Sequence, residues 1–283
     1  MIDGKYLQGI RTLESLCKTA SKLSIATSGR EVSTSREAYG SHIFGKICVT
    51  GIAILKLLPK STFYFAPNGL EIWDISSVSA LSRSLIDSYN IFYYLIIEKV
   101  DKDELEFRFI LWKLHSECER LKMLEFIGST SNALDDIKQN IEYLRKELKN
   151  NKFYQKLDFK KQRFWGSAEK GVFLTNTKIS ESAGIKPNYY KATYKYLSQY
   201  VHTYAFSISQ LAIFRAGDAE SLNRLETIVE YCIVYLCFSI RDFLKVFPDQ
   251  SSNIPSEIIK TIEDWEYIMR NIFSDPSGAI PVR

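Results

Sequence analysis

Leu7-Gln-Gly-Ile10-Arg-Thr-Leu13-Glu-Ser-Leu16-Cys17 sets leucine or isoleucine at every third position, and Cys17 widens the stripe. Residues three and four apart share one face of an α-helix, so this spacing predicts a helix over residues 5–26. The same period runs outward through nearly the whole chain. It predicts further helices over 37–58, 71–99, 101–127, 131–150, 188–216, 219–247 and 256–273. The punctuation agrees: Pro59 stops the second helix, Pro67-Asn68-Gly69 makes a turn, and Gly128 ends the fourth. Asp101 and Asp103 suit the positive end of that fourth helix's dipole. Only 13 Gly and 7 Pro occur in 283 residues, too few for a many-turned β architecture. The expected fold is all-α, a multi-helix bundle of about eight helices. Its third, fourth, sixth and seventh helices have the strongest apolar faces and are expected at the centre. Residues 1–66 read as a helical N-terminal extension packed on a core domain of 67–274, with 275–283 as a flexible Pro/Gly tail.

Apolar residues make up 46% of the chain, enough for a sizeable core, and charged residues 25%, as in ordinary soluble proteins. The formal net charge of +4 is local rather than general. Between Arg145 and Arg163 basic residues crowd together, Lys156, Lys160, Lys161 and Arg163 among them, opposed by Glu147 and Asp158 alone. Phe153, Tyr154, Phe159, Phe164 and Trp165 interleave with or follow them. Cations with aromatics suit single-stranded nucleic acid, which offers phosphates and stackable bases, so RNA is the expected partner of residues 145–163. A solvated helix end or an acidic protein partner would satisfy the same charge. The five cysteines are scattered and odd in number, which argues against a disulfide framework and for a reducing cytoplasm. The uncharged apolar runs Ile47–Leu55, Ser88–Ile97 and Tyr231–Ile240 are about half the ~20 residues of a membrane span, so buried core helices are expected and no membrane contact.

Two helices carry polar rows among apolar neighbours. Arg83, Asp87 and Asn90 lie at i, i+4 and i+7 on the third helix, with Tyr94 beyond them. On the sixth, Tyr194 or Lys195 is followed by Ser198 and His202, within a helix that reads as largely buried. If the two helices pack face to face, Arg83, Asp87, Ser198 and His202 converge. Three blocks carry a resemblance: Ala80-Leu-Ser-Arg83-Ser-Leu-Ile-Asp87, Trp165-Gly166 with the turn at 180–184, and Tyr194-x-Tyr-Leu-Ser198-x-x-Val-His202. Together they resemble a widespread bacterial, all-helical domain of unknown function over roughly residues 70–245. Such domains read Arg-x-x-x-Glu in the first block, where this chain has Asp87, which keeps the charge and shortens the reach. The resemblance implies a site, without a reaction.

His202, whose imidazole ordinarily titrates near neutrality, is the candidate general acid and base. Arg83 would hold an anionic group, Asp87 would orient Arg83 or His202, and Ser198 would donate a hydrogen bond or, less readily, act as nucleophile. Asn90, Tyr194 and Lys195 would line the substrate side, and Trp165 would join the basic stretch. Equally, the four central residues could be a satisfied network that fixes helix register. Similarity to HEPN-type helical ribonucleases is weaker. Their Arg-x4–6-His signature is met by Arg36 with His42 and by Arg108 with His115, while the best-placed version, Lys195 with His202, has lysine for arginine. Gly40-x-x-x-x-Gly45-Lys46 mimics a phosphate-binding loop, but Ile47 replaces the magnesium-binding Ser/Thr and no strand precedes it. The three histidines are far apart in sequence, so no metal and no cofactor is expected. The sequence therefore supports a cytoplasmic bacterial protein that binds or acts on nucleic acid, in the manner of a metal-independent ribonuclease in stress or phage defence. Its rivals are a non-catalytic interaction or homo-oligomerisation module and a pocket for a small anionic ligand.

Overall fold

The structure, a computed structural model, describes residues 4–271 except Ser33, Ser131 and Phe214. The tail expected at 275–283 lies outside the described residues. The protein is all-α: twelve α-helices and no strand occur among the described residues, more helices than the eight of the sequence reading. The extra ones come from two places. Residues 151–187, irregular by period, hold three short helices, and the expected helix over 188–216 is broken in two.

By contacts the chain forms two compact units, Met1–Ile97 with Asn176–Arg283, and Glu98–Thr175. The boundary expected at residues 66 and 67 does not coincide with this division. The first unit contains α1 (Gly4–Thr27), α2 (Ser35–Leu57), α3 (Ile75–Phe92, continued by a π-helical turn at Tyr93–Ile97), α8 (Asn176–Ser182), α9 (Pro187–Val201), α10 (Ala205–Ile213), α11 (Ala219–Val246) and α12 (Ser256–Asn271). The second contains α4 (Lys102–Phe126), α5 (Ala133–Asn150), α6 (Lys152–Gln155) and α7 (Phe159–Gly166).

In the first unit α11 is the central element. It packs on α1, α2, α3 and α12, and Leu225, Ile228, Val229, Val234, Leu236, Phe238, Ile240 and Phe243 along it are buried. The stripe Ile10, Leu13, Leu16 and Cys17 of α1 is buried as its spacing predicts, with α1 on α11 and α2. Each such leucine or phenylalanine contributes about 1.5–3 kcal/mol relative to exposure. Phe44 of α2 stacks on Phe243 at 3.9 Å between ring centroids. Helix α2 is long and apolar enough to cross a membrane. Its buried residues Phe44, Ile47, Cys48, Ile54 and Leu55 pack within this unit, where α2 meets α1, α3 and α11. The expected central bundle is thus corrected: α4 belongs to the other unit, and α1 and α2 occupy the centre with α3 and α11.

The helix ends follow local chemistry. Asp74, Asp101, Asp158 and Asp218 each accept a hydrogen bond from a backbone N–H of the following first turn, satisfying a donor that the helix leaves unpaired. The second unit buries Phe107, Leu111 and Leu114 of α4 against Ile137, Ile141, Leu144 and Leu148 of α5. Phe153, Trp165 and Phe173 close over this core.

The break in the expected long helix decides where the site lies. Helix α9 stops at Val201, His202 is its C-cap, and Thr203 takes a positive φ of 53°. A β-branched residue rarely adopts that conformation; here it forms a left-handed helix end, in which the Tyr204 N–H bonds to the Gln199 carbonyl at 3.4 Å. Helix α10 restarts at Ala205. His202 therefore stands at an exposed helix end rather than inside a buried helix.

Candidate functional site

Helices α3 and α9 pack together, which places their polar rows on each other. Nη1 of Arg83 lies 3.0 Å from Nε2 of His202. A guanidinium only donates, so Arg83 donates and the neutral His202 ring accepts at Nε2. The Tyr194 ring lies over the guanidinium at 4.5 Å, a cation–π contact that holds Arg83 from below. Deeper in, Asp87 is half-buried and only loosely bonded, at 3.4 Å from Nδ2 of Asn176 and 3.5 Å from the Tyr194 hydroxyl. Burial pushes its carboxyl above the usual range, against the opposing pull of Arg83, the Tyr194 hydroxyl and Lys46. Burial likewise raises the Tyr194 phenol, and the Asp87 charge adds to this. Tyr190, one turn before, lies 5.5 Å from Tyr194 between centroids. The cluster thus grades from exposed His202 through half-buried Arg83, Tyr194 and Asp87 to fully buried Asn90.

Other residues of the two rows go elsewhere. Ser198 donates its hydroxyl to the Tyr194 carbonyl at 2.6 Å, a bond within its own helix, so it neither faces His202 as a nucleophile nor completes a four-residue convergence. Asn90 accepts from Ser180 at 3.0 Å inside the core, while its Nδ2 has no hydrogen-bond partner. Lys195 is exposed and lines an open groove of about 350 Å³ with Ala192, Tyr196, Gln199 and Phe206. Tyr94 is fully buried.

The second unit holds the basic stretch. Lys156, Lys160, Lys161 and Arg163 are exposed, and Lys161 pairs with Asp158 at 3.0 Å. Trp165 is half-buried and packs on Phe173 at 5.3 Å, a structural contact. Arg108 and His115 are both committed inside this unit. Arg108 is 1% exposed and bonded to Glu98 and Glu104, and Nδ1 of His115 lies 2.8 Å from the Ala168 carbonyl. Gly40 and Gly45 lie inside α2, where Gly40 lets Ile96 approach closely. Among the described residues no three His, Cys, Asp or Glu side chains gather as metal ligands would.

Sequence reasoning missed Asn176 and Tyr190, which enter the cluster from α8 and α9. Neither carries a signal of its own, because packing alone brings α8 to α3. It also missed a buried ionic network. Asp242, 0% exposed, binds Arg241, Lys245 and the Tyr89 hydroxyl, and Arg241 reaches Glu266 and the Ala183 carbonyl. The adjacent Arg241-Asp242 pair in an otherwise apolar run was its sequence signal.

Fold and site together define an all-helical protein with a partly exposed arginine–histidine–tyrosine–aspartate cluster between two packed helices. The chain belongs to the family of unknown function DUF5677, whose model matches residues 37–219. That span begins in α2, ends at the start of α11, and contains Arg83, Asp87, Tyr194 and His202. No curated protein and no solved structure matches the chain.

Proposed function

We propose that the protein binds RNA and cleaves it without a metal, with Arg83 and His202 as the working pair. The observation that carries this reading is the 3.0 Å approach of the Arg83 guanidinium to the His202 imidazole at an exposed helix end. Arginine matches a phosphodiester with fixed donors, and a neutral imidazole can take a proton near pH 7. In this reading a phosphodiester inserts at the pair. His202 takes the proton of a ribose 2′-hydroxyl, and O2′ bonds to phosphorus. The P–O5′ bond breaks, and O5′ leaves with a proton from solvent. Arg83 balances the charge that builds on the non-bridging oxygens. Tyr194 and Asp87 position Arg83, one by its ring and one by its charge, and touch no reacting atom.

Nucleic acid would also meet the exposed cations of residues 145–163. The five buried, free cysteines favour a reducing, cytoplasmic setting, and a role in bacterial stress or phage defence is part of the same proposal. The bonds of Asn90 with Ser180 and of Ser198 with its own helix favour a structural role for those residues, as the interaction-module reading would have for the whole cluster. The test is labelled single-stranded RNA with and without EDTA, for the parent protein beside His202→Ala and Arg83→Ala. The expected result is EDTA-resistant cleavage to 2′,3′-cyclic phosphate ends, lowered at least ~100-fold by either variant, with melting temperatures unchanged within a few degrees. Absence of cleavage by the parent protein, with inorganic phosphate or a small anion still bound at Arg83, would leave a ligand pocket instead.

A further inference from the structure

The aromatics that interleave with the basic stretch do not behave alike, and their division points to a second contact surface. Tyr154 is buried, with its hydroxyl on the Gln162 carbonyl at 2.6 Å. Phe153 packs on Phe107 and Phe173, and Trp165 on Phe173. These three anchor α7 and its approach to the core. Phe159 does not, at 78% exposed, and Phe164, 43% exposed, meets only the edge of Trp165 at 4.8 Å between centroids and leaves the rest of its ring in solvent. Helix α7 buries none of its residues. It is nevertheless fixed, because Asp158 caps its start and Gln162 donates to the Tyr154, Gln155 and Leu157 carbonyls. A rigid short helix thus presents exposed ring surface on two sides, Phe159 one turn from Arg163 and Phe164 one turn from Lys160, with Lys170 over the Phe164 ring at 6.0 Å.

An exposed apolar ring is costly to keep in water, and cations so close would repel a cationic partner and lose their hydration against an apolar one. A polyanion with exposed flat rings fits both features. Single-stranded nucleic acid has them, whereas a duplex hides its bases in the stack. We infer that α7 is a stacking platform for single-stranded nucleic acid, with Phe159 and Phe164 taking bases and Lys160 and Arg163 taking the flanking phosphates. This rests on the reading that nucleic acid is the partner, and it deepens that reading by naming the helix, the contacting rings and the cations beside them.

The test uses the full chain carrying His202→Ala, so that the probe is not consumed. Anisotropy of a labelled 20-nucleotide oligouridine is compared with its duplex with oligoadenosine, with the DNA equivalents, and with phosphatidylserine vesicles. The single strand is expected to bind at least ~10-fold tighter than the duplex, and Phe159→Ala and Phe164→Ala each to weaken it ~5-fold or more. Neither phenylalanine variant should change the slope of log affinity against log salt, while Lys160→Gln and Arg163→Gln should each flatten it by about 0.7. Equal affinity for duplex and single strand, indifferent to both phenylalanine changes, would overturn the platform, as would Phe159-dependent binding to vesicles with none to oligouridine. The two readings fail separately. Cleavage by the parent protein with phenylalanine-independent binding sinks only the platform. Phenylalanine-dependent binding without cleavage by the parent sinks only the nuclease. No binding to any nucleic acid sinks both.

Discussion

Asp87 sits in an environment at odds with its charge. Two loose bonds, at 3.4 and 3.5 Å, do not replace the water it has lost. Its folded-state pKa is therefore raised, mainly by burial. The sign follows: the folded state holds this proton more tightly than the unfolded chain, so Asp87 costs no stability while protonated in both. As pH rises from about 3.8, its ordinary value, through the raised value, its ionisation opposes folding. Asp87→Asn is expected to match the parent in melting temperature near pH 3.5 and to gain on it as pH rises to 7. Melting curves across that range decide it: a difference that stays constant with pH would show that the carboxyl is not desolvated as described. Arg83 and His202 differ in kind, since the role proposed for them would depend on an outer partner and not on burial.

At the scale of elements, close helix approach is set by one small residue. A Cβ added to Gly51 of α2 would lie 2.9 Å from Sγ of Cys17 on α1 and 3.6 Å from Leu236 on α11. The thiol is buried and short, so it has little room to move. Gly51→Ala is expected to destabilise by about 1–3 kcal/mol through overpacking, although alanine is the better helix former by about 1 kcal/mol. Urea unfolding measures it, and a variant as stable as the parent would mean that α1 and α2 can separate freely. The break between α9 and α10 belongs to the same scale. The apolar content of residues 204–213 continues the helical period, and nothing in it marks a stop. Thr203 in the left-handed region closes α9 locally, with the Tyr204 N–H on the Gln199 carbonyl at 3.4 Å, and His202 at that end is exposed.

For the whole molecule, the ionic network around Asp242 ties together elements remote in sequence. Through Arg241 and Tyr89 it joins α3, the turn after α8, α11 and, by Glu266, α12. A buried carboxylate with three partners leaves uncompensated charges when removed. Asp242→Ala is expected to cost about 3–5 kcal/mol, read as a lower urea midpoint. A smaller double change, Asp242→Ala with Arg241→Met, is expected to recover part of that loss. If the pair costs as much as the two single changes summed, the side chains are not coupled. The network stands apart from the Arg83–His202 pair, so these variants test architecture and not the proposed chemistry.

Period and end chemistry made the helices legible: the stripe from Leu7 to Cys17, the acidic start at Asp101 and Asp103, and the stops at Pro59 and Gly128 need only neighbours within a turn or two. The rows Arg83–Asp87 and Tyr194–His202 were legible for the same reason, since residues four apart must share a face. Local sequence does not carry contacts across 89 or more residues. Tertiary packing alone brought Asn176 and Tyr190 to Asp87, and grouped α4 with α5 in a second unit, which falls between α3 and α8 in chain order. It alone separated the buried Tyr154 from the exposed Phe159, five residues on, because which ring meets a core depends on where the opposing helix lies. Hydrophobic periodicity is a short-range property of the chain, and it determined the fold class. The site required long-range burial, which follows from the whole set of contacts and is written in no single stretch.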